Sequence, residues 1–160
     1  MLHTKPTQTT PEQEGRAVSE HERAALLGRL EQYEQALSIY EALSERHPQD
    51  ALAHTGKGNM LLFLKRPEAA LAAYEQALTL APTLNPAWVG KACALKALQQ
   101  EQAALKAYDQ ALALDPTCAP AYFGKAELFL EHNHPWRALK SYWRGFAAEQ
   151  AHTSCQDQQW

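Results

Sequence analysis

The stretch that decides the fold is residues 85–118, NPAWVGKACALKALQQEQAALKAYDQALALDPTC. Its apolar residues form two stripes at helical spacing: Trp88, Ala92 and Leu95, then Ala104, Tyr108, Ala111 and Leu112. This spacing places the apolar groups on one face of each helix. Pro116 disfavours helix in the residue before it, so the second helix should end there. The stretch therefore predicts two amphipathic helices joined by a short turn.

The same pattern recurs every 34 residues along the chain. Each period has a tyrosine at the same position, four residues after the alanine of an Ala-Leu pair: Tyr40, Tyr74, Tyr108 and Tyr142. Self-similarity at this period indicates stacked helical hairpins, because a single hairpin cannot bury both of its faces. Aligned on the tyrosines, the chain divides into the units 17–50, 51–84, 85–118 and 119–150. The predicted fold is all-α, a solenoid of antiparallel helix hairpins in which each tyrosine fills the gap between neighbours.

Helix boundaries follow from the turn and cap residues. We expect helices over 19–30, 34–46, 51–64, 68–80, 86–98, 102–114, 120–132 and 136–149. Ser19 and Glu22 match a capping box at the start of the first helix. Asp50 and Asn85 are residue types that cap helices well. Prolines suited to a first helical turn recur in the later units: Pro67, Pro86, Pro120 and Pro135.

The recurring pattern resembles that of the tetratricopeptide repeat family, and the resemblance covers residues 17–150. It implies a right-handed superhelix of four repeats that acts by binding other proteins. Family members often have glycine at the turn between the two helices of a repeat. This chain has other residues there, a departure that we expect the fold to tolerate: Glu31, Lys65, Gln99 and Asn133.

Composition narrows the classes of partner. The 160 residues carry a net charge of −3 with acids and bases mixed, which provides no electrostatic footprint for nucleic acid. No apolar run is long enough to cross a membrane. Three dispersed cysteines and the lack of a signal-peptide core favour the cytoplasm. We expect residues 1–16 to be disordered and residues 151–160 to form a polar tail.

The resemblance implies that a concave groove, built from the first helix of each unit, binds the partner. Carried over residue by residue, the groove comprises Asn59, Leu62, Phe63, Val89, Cys93, Lys96, Phe123, Glu127 and Leu130. Its apolar middle with charges of both signs suits an amphipathic helix or an extended peptide. Some family members clamp the terminal carboxylate of chaperone tails, but only Asn59 matches that clamp. Alternatively, these residues pack against the N-terminal segment or are ordinary exposed aliphatics.

Three motifs have both a functional and a structural interpretation. Gly-Lys recurs in three units. In the functional interpretation, the lysines form a row of charges that binds an acidic ligand. In the structural interpretation, each glycine permits close helix contact and each lysine lays its stem along apolar surface with its charge in solvent. The turn 131–134, Glu-His-Asn-His, is poorly spaced for a tetrahedral metal ion. Cys93 and Cys118 could approach one another, but no activating base accompanies them. We favour the structural interpretation of each, with no metal, no cofactor and no enzymatic activity.

The second helix of the fourth unit carries three aromatic residues: Trp136, Trp143 and Phe146. No further amphipathic helix follows it in sequence to cover its second helix. Some of the rings should belong to the core, and the rest either form a homodimer contact or lie under the C-terminal tail. Self-association through these residues is therefore the alternative to groove binding.

Overall fold

A computed structural model describes residues 11–156, with side chains described over residues 20–150. Over that range the chain forms eight α-helices and no strand. The helices are α1 Pro11–Arg29, α2 Tyr33–Arg46, α3 Ala51–Phe63, α4 Pro67–Leu80, α5 Asn85–Ala97, α6 Glu101–Leu114, α7 Ala119–Glu131 and α8 Pro135–Gln156.

The helices are arranged as four hairpins in two layers. Consecutive helices contact one another along the whole array, and α1 also contacts α3, α3 contacts α5, and α5 contacts α7. Within the described residues, no contact of comparable extent joins α2, α4, α6 or α8 to one another. The first helix of each hairpin therefore belongs to an inner layer and the second to an outer layer. This is the predicted all-α solenoid.

The periodic tyrosines hold neighbouring hairpins together. Tyr40, Tyr74 and Tyr108 are buried, and each ring lies directly against a glycine of the next hairpin. A Cβ atom added to that glycine would fall 2.3–2.4 Å from the ring, closer than any van der Waals contact. The pairs, called tyrosine seats below, are Tyr40 with Gly56, Tyr74 with Gly90 and Tyr108 with Gly124. The structural interpretation of the recurring glycines is confirmed.

The turns inside the hairpins adopt the left-handed backbone conformation without glycine. Their φ angles lie between 57° and 60°: Glu31, Lys65, Gln99 and Asn133. In each turn, the residue that follows donates a backbone hydrogen bond to a carbonyl five positions earlier, as Arg66 does to Leu61 at 2.9 Å. The fold thus tolerates the loss of the family's glycine, at a cost in backbone strain.

Most of the predicted helix boundaries are confirmed, including the Asp50 cap. Asp50 Oδ1 accepts hydrogen bonds from the backbone N–H groups of Leu52 and Ala53 at 2.9 and 3.0 Å. Asn85, in contrast, is the first residue of α5 and does not cap it. Its side-chain Nδ2 instead donates to the Ala111 carbonyl oxygen at 2.9 Å, which ties α5 to α6.

The two ends of the array differ from expectation. Helix α1 begins at Pro11, so the predicted capping box at Ser19 is wrong because that residue lies inside the helix. The expected disordered segment 1–16 overlaps this helix from residue 11, and the rest of it lies outside the described residues. Helix α8 continues to Gln156, past the predicted end at 149 and into the expected polar tail. A helix proceeds beyond such a boundary when no proline or capping residue stops it.

Candidate interaction site

A cleft of about 720 Å³ opens on the inner layer between α3 and α5 and reaches the start of α7. Five predicted groove residues line it: Asn59, Leu62, Phe63, Val89 and Cys93. Sequence reasoning missed the other lining residues: Lys65, Tyr74, Asn85, Pro86, Gly90, Asp115, Cys118 and Pro120. Most of these lie at repeat boundaries, where the inner helices begin. Their shared position at the start of α5 and α7 was the signal that could have identified them.

The floor of the cleft presents polar groups at one repeated position. The Tyr74 hydroxyl donates to Asn59 Oδ1 at 2.6 Å. In the next repeat the Tyr108 hydroxyl lies 3.4 Å from Cys93 Sγ. Burial raises the pKa of both tyrosines, and the nearby Cys93 adds to the effect, so both stay protonated. Since its oxygen is occupied, Asn59 has its amide Nδ2 left to donate toward the cleft.

Lys96 and Glu127 form an ion pair that bridges α5 and α7. Partial burial lowers the pKa of Lys96, but the hydrogen bond and the charge of Glu127 outweigh it, so the pKa lies above its usual value. We expected both side chains to face a partner, but in the structure they contact each other. They would therefore affect binding as an ion pair and not as two separate charges.

The remaining predicted groove residues lie apart from the cleft. The Phe123 ring lies against Gly145 and 5.9 Å from the Tyr142 ring, so it contributes to the α7–α8 contact. Leu130 is half exposed near the end of α7 and does not line the cleft. At the opposite end, the exposed Phe63 ring stacks on Tyr33 with centroids 4.7 Å apart. The cleft thus has one aromatic wall, contributed by the second repeat.

The recurring lysines are used inside the molecule. Each reaches back to an acid that follows the tyrosine of the preceding hairpin, sixteen residues earlier. The pairs are Lys57 with Glu41 at 3.5 Å, Lys91 with Glu75 at 2.9 Å, and Lys125 with Asp109. These lysines are therefore paired within the molecule and do not form a row of free charges for an acidic ligand. The signal was present in the sequence as an acid after each of the three tyrosines in the seats and a lysine after each seat glycine.

The turn 131–134 and the two cysteines form no catalytic arrangement with other described residues. In the turn 131–134, His132 Nε2 lies 2.6 Å from Glu101 Oε1, a pairing between neighbouring hairpin turns. Within the described part of the chain, no group of His, Cys, Asp and Glu could hold a metal ion. Cys93 and Cys118 are free thiols, and Cys118 contacts Asn85 Oδ1 at 3.5 Å. Among the helices described, none is both long and apolar enough to cross a bilayer.

The predicted self-association residues lie together on the outer surface of α8. Trp136, Trp143 and Phe146 are 81%, 65% and 52% exposed, and Leu139 lies between them. The rings of Trp143 and Phe146 meet edge to face with centroids 6.4 Å apart. We name the surface formed by these four residues the α8 face. The structure assigns none of the three aromatic rings to the core, and self-association through them stays a prediction.

Comparison with known proteins identifies the fold family. Tetratricopeptide repeat models match residues 21–85 and 86–118. The chain belongs to the tetratricopeptide repeat family. No curated protein sequence matches it.

Solved structures with the same fold include other tetratricopeptide repeat proteins. TTC0263 from Thermus thermophilus is 19% identical with a TM-score of 0.77, over 84% of this chain and 75% of that one. MamA from Desulfovibrio magneticus RS-1 is 19% identical with a TM-score of 0.72, over 84% and 76%. The first repeat domain of Spaghetti (RPAP3), solved with the HSP90 peptide SRMEEVD, is 20% identical with a TM-score of 0.68, over 73% and 93%. Identities this low establish the shared fold alone.

Proposed function

We propose that this protein is a non-catalytic interaction module that binds a segment of another protein in the cleft between α3 and α5. The observation that carries the proposal is the cleft itself, a concave, mainly apolar site of about 720 Å³ with few polar groups. Its volume suits the apolar side chains of one short segment. A partner in the cleft would bury its anchors against Leu62, Phe63 and Val89.

Polar groups would set the register of the bound segment. The Asn59 amide, held by Tyr74, would donate to a main-chain carbonyl of the segment. The Lys96–Glu127 pair is not among the residues that line the cleft, and as an ion pair it would present no net charge to the segment. The RPAP3 domain is similar in fold and was solved with the HSP90 peptide SRMEEVD. In this chain, Gly90 and Pro120 line the groove at positions where a carboxylate clamp would need polar or basic groups, so we propose apolar anchoring instead.

The test is capture of proteins from the native host by immobilised wild-type and variant chains, with helicity checked by circular dichroism. Phe63→Ala with Val89→Asp should remove a defined set of captured proteins, because the first truncates the aromatic wall and the second places a charge in the apolar floor. The matched control is Leu114→Ala, which truncates an exposed leucine on α6. Capture that survives the groove variant, or that is lost equally in the control, contradicts the proposal.

Self-association through the α8 face is the second candidate function, favoured by the exposure of Trp136, Trp143 and Phe146. Size exclusion with light scattering decides it. A dimer that becomes a monomer on Trp143→Ala supports a self-associating scaffold. A monomer at high concentration rejects it.

A further inference from the structure

A second groove, of about 390 Å³, lies on the outer layer where α6 and α8 flank α7. Four bases line it: Lys125 from α7, and Arg137, Lys140 and Arg144 from α8. One acid, Asp109 of α6, lines it as well. We name the surface formed by these five residues the basic groove. It is separate from the cleft between α3 and α5, and it shares no residue with the α8 face.

Three of the four bases lack an acidic partner among the described side chains. Lys125 is paired with Asp109, so these two charges cancel. Within residues 20–150, no carboxylate lies at ion-pair distance from the three α8 bases. The Arg137 guanidinium lies over the Phe129 ring, 5.9 Å from its centroid, and this contact leaves its charge unneutralised. The groove thus concentrates three positive charges in a chain whose net charge is −3.

The preceding junction has the same groove without the extra charge. A groove of about 370 Å³ lies one repeat earlier and is lined by α4, α5 and α6. Lys91 and Glu75 form its ion pair, at the positions of Lys125 and Asp109. At the positions of the three α8 bases it has Ala103, Lys106 and Gln110. Because two hairpins join there without the arginines, the packing of the array does not require Arg137 and Arg144.

The spacing of the bases indicates what the groove recognises. Arg137, Lys140 and Arg144 lie at i, i+3 and i+7, on one face of α8. They form a row about 10 Å long, which a single carboxylate or phosphate does not span. Acidic side chains two residues apart in an extended segment lie about 7 Å apart, so two or three of them match the row. Ser141 lines the groove where the preceding groove has Ala107, and its hydroxyl can donate to the same ligand.

Extended polyanions fit this site poorly. The whole chain is acidic although the groove contributes three positive charges, so the rest of the chain is more acidic still. A nucleic acid or an anionic bilayer would extend beyond the groove and meet that acidic remainder. A short acidic segment would contact the groove alone.

We propose that the basic groove binds a short segment of another protein that carries several anionic side chains, as carboxylates or as phosphoserines. Arg137 and Arg144 would each hold an anion through paired N–H groups, and Lys140 between them would add a third positive charge. This site does not depend on the proposed cleft.

Three synthetic peptides of about ten residues, long enough to span the row when extended, test the proposal. They share one sequence and differ at alternate positions, which hold glutamate, phosphoserine or glutamine. Fluorescence anisotropy with the full chain measures their binding. We expect the glutamate peptide to bind about tenfold more tightly than the glutamine peptide, since several partly exposed ion pairs each contribute modestly. A phosphoserine peptide that binds more tightly still assigns the groove to phosphorylated segments, and one that binds equally or more weakly assigns it to carboxylates.

The preceding groove supplies variants that keep the fold. Arg137→Ala with Arg144→Gln installs the residues of that groove, and it should abolish the preference for the anionic peptides without loss of helicity. Ala103→Arg with Gln110→Arg, added to that variant, should restore the preference at the preceding groove.

The matched control removes the same charge elsewhere. Arg23→Ala with Arg29→Gln, two exposed positions of α1, should leave the preference intact. A Val89→Asp chain should also retain it, so failure of the cleft proposal remains distinguishable.

Each contrary result overturns the proposal. Equal binding of all three peptides, or of none, rejects an anionic segment as the occupant. A preference that is lost equally in the α1 control shows attraction to the charge of the whole chain and not to the groove. A dimer that becomes a monomer on Arg137→Ala with Arg144→Gln shows that a second copy occupies the groove. Sedimentation of the chain with phosphatidylserine–phosphatidylcholine vesicles, lost in the same variant, shows that the groove binds a membrane.

Discussion

The tyrosine seats predict that adding a single methyl group to Gly90 destabilises the array. The Tyr74 ring is fully buried between Gly90 on the next hairpin and Gly58 on its own. A Cβ atom on residue 90 would lie 2.3 Å from Cε1 and 2.4 Å from Cζ of that ring. To restore normal contact the ring must move by about 1 Å. Gly58 limits that movement, because its backbone packs so close to the ring that a Cβ atom there would lie 2.7 Å from Cε1.

The magnitude follows from two opposing terms. Replacing a helical glycine by alanine stabilises a helix by about 0.5–1 kcal/mol. Overpacking a rigid core contact costs about 1–3 kcal/mol, and displacing the ring also threatens the Tyr74–Asn59 hydrogen bond, which contributes about 1 kcal/mol. We expect Gly90→Ala to lower the free energy of unfolding by about 1–3 kcal/mol.

Urea denaturation followed by circular dichroism measures the effect, with Gly28→Ala as the matched control. A Cβ atom on Gly28 would meet only the flexible end of Met60, with Cε at 3.1 Å. That variant should be neutral or more stable by up to about 1 kcal/mol. Tyr74→Leu combined with Gly90→Ala should be less damaging than the two single changes added together. Equal stability of Gly28→Ala and Gly90→Ala would refute the seat as the element that fixes hairpin spacing.

Two further predictions concern the turns and the α3 cap. Lys65→Gly should stabilise the protein by about 0.5–1 kcal/mol, because it removes a side chain from a residue in the left-handed conformation, with φ of 59°. Asn133→Gly should stabilise it less, because asparagine tolerates that conformation. Thermal denaturation of the two variants measures the effect, and a loss of stability in both would contradict the claim that these turn residues are strained. Asp50→Ala should cost about 1 kcal/mol at neutral pH. Burial raises the pKa of Asp50, but hydrogen bonds from Ala53 and His21 outweigh this and lower it. The stabilisation is therefore present above the unfolded-state pKa of about 4 and is lost as pH falls through the lower folded-state value; a cost that is unchanged at low pH would contradict this assignment.

The period of the sequence was sufficient to predict the solenoid, and its physical basis explains why. A tyrosine, a seat glycine and a turn recur at fixed offsets, and each local choice supports the same stacking. The ends were less predictable because no neighbour constrains them. Ser19 and Glu22 match a capping pattern, yet α1 continues through them from Pro11. A local motif of this kind is outweighed when the preceding residues can also form helix.

Only part of the groove was predicted, because a family resemblance identifies equivalent positions in the sequence and does not show which side chains contact one another. Asn59, Leu62, Phe63, Val89 and Cys93 do line one cleft. The pairing of Lys96 with Glu127 depends on how α5 and α7 face each other, which a single sequence does not report. The seating of Phe123 on Gly145 likewise depends on the α7–α8 crossing.

The central claim is that the cleft between α3 and α5 binds another protein, and photo-crosslinking tests it most directly. A benzoylphenylalanine placed at residue 89, in the cleft, is compared in host cells with one placed at residue 72, exposed on the outer helix α4. The account predicts a discrete crosslinked partner from residue 89 that is absent from residue 72 and is lost on Phe63→Ala. A partner captured equally from both positions, or from residue 72 alone, would contradict it.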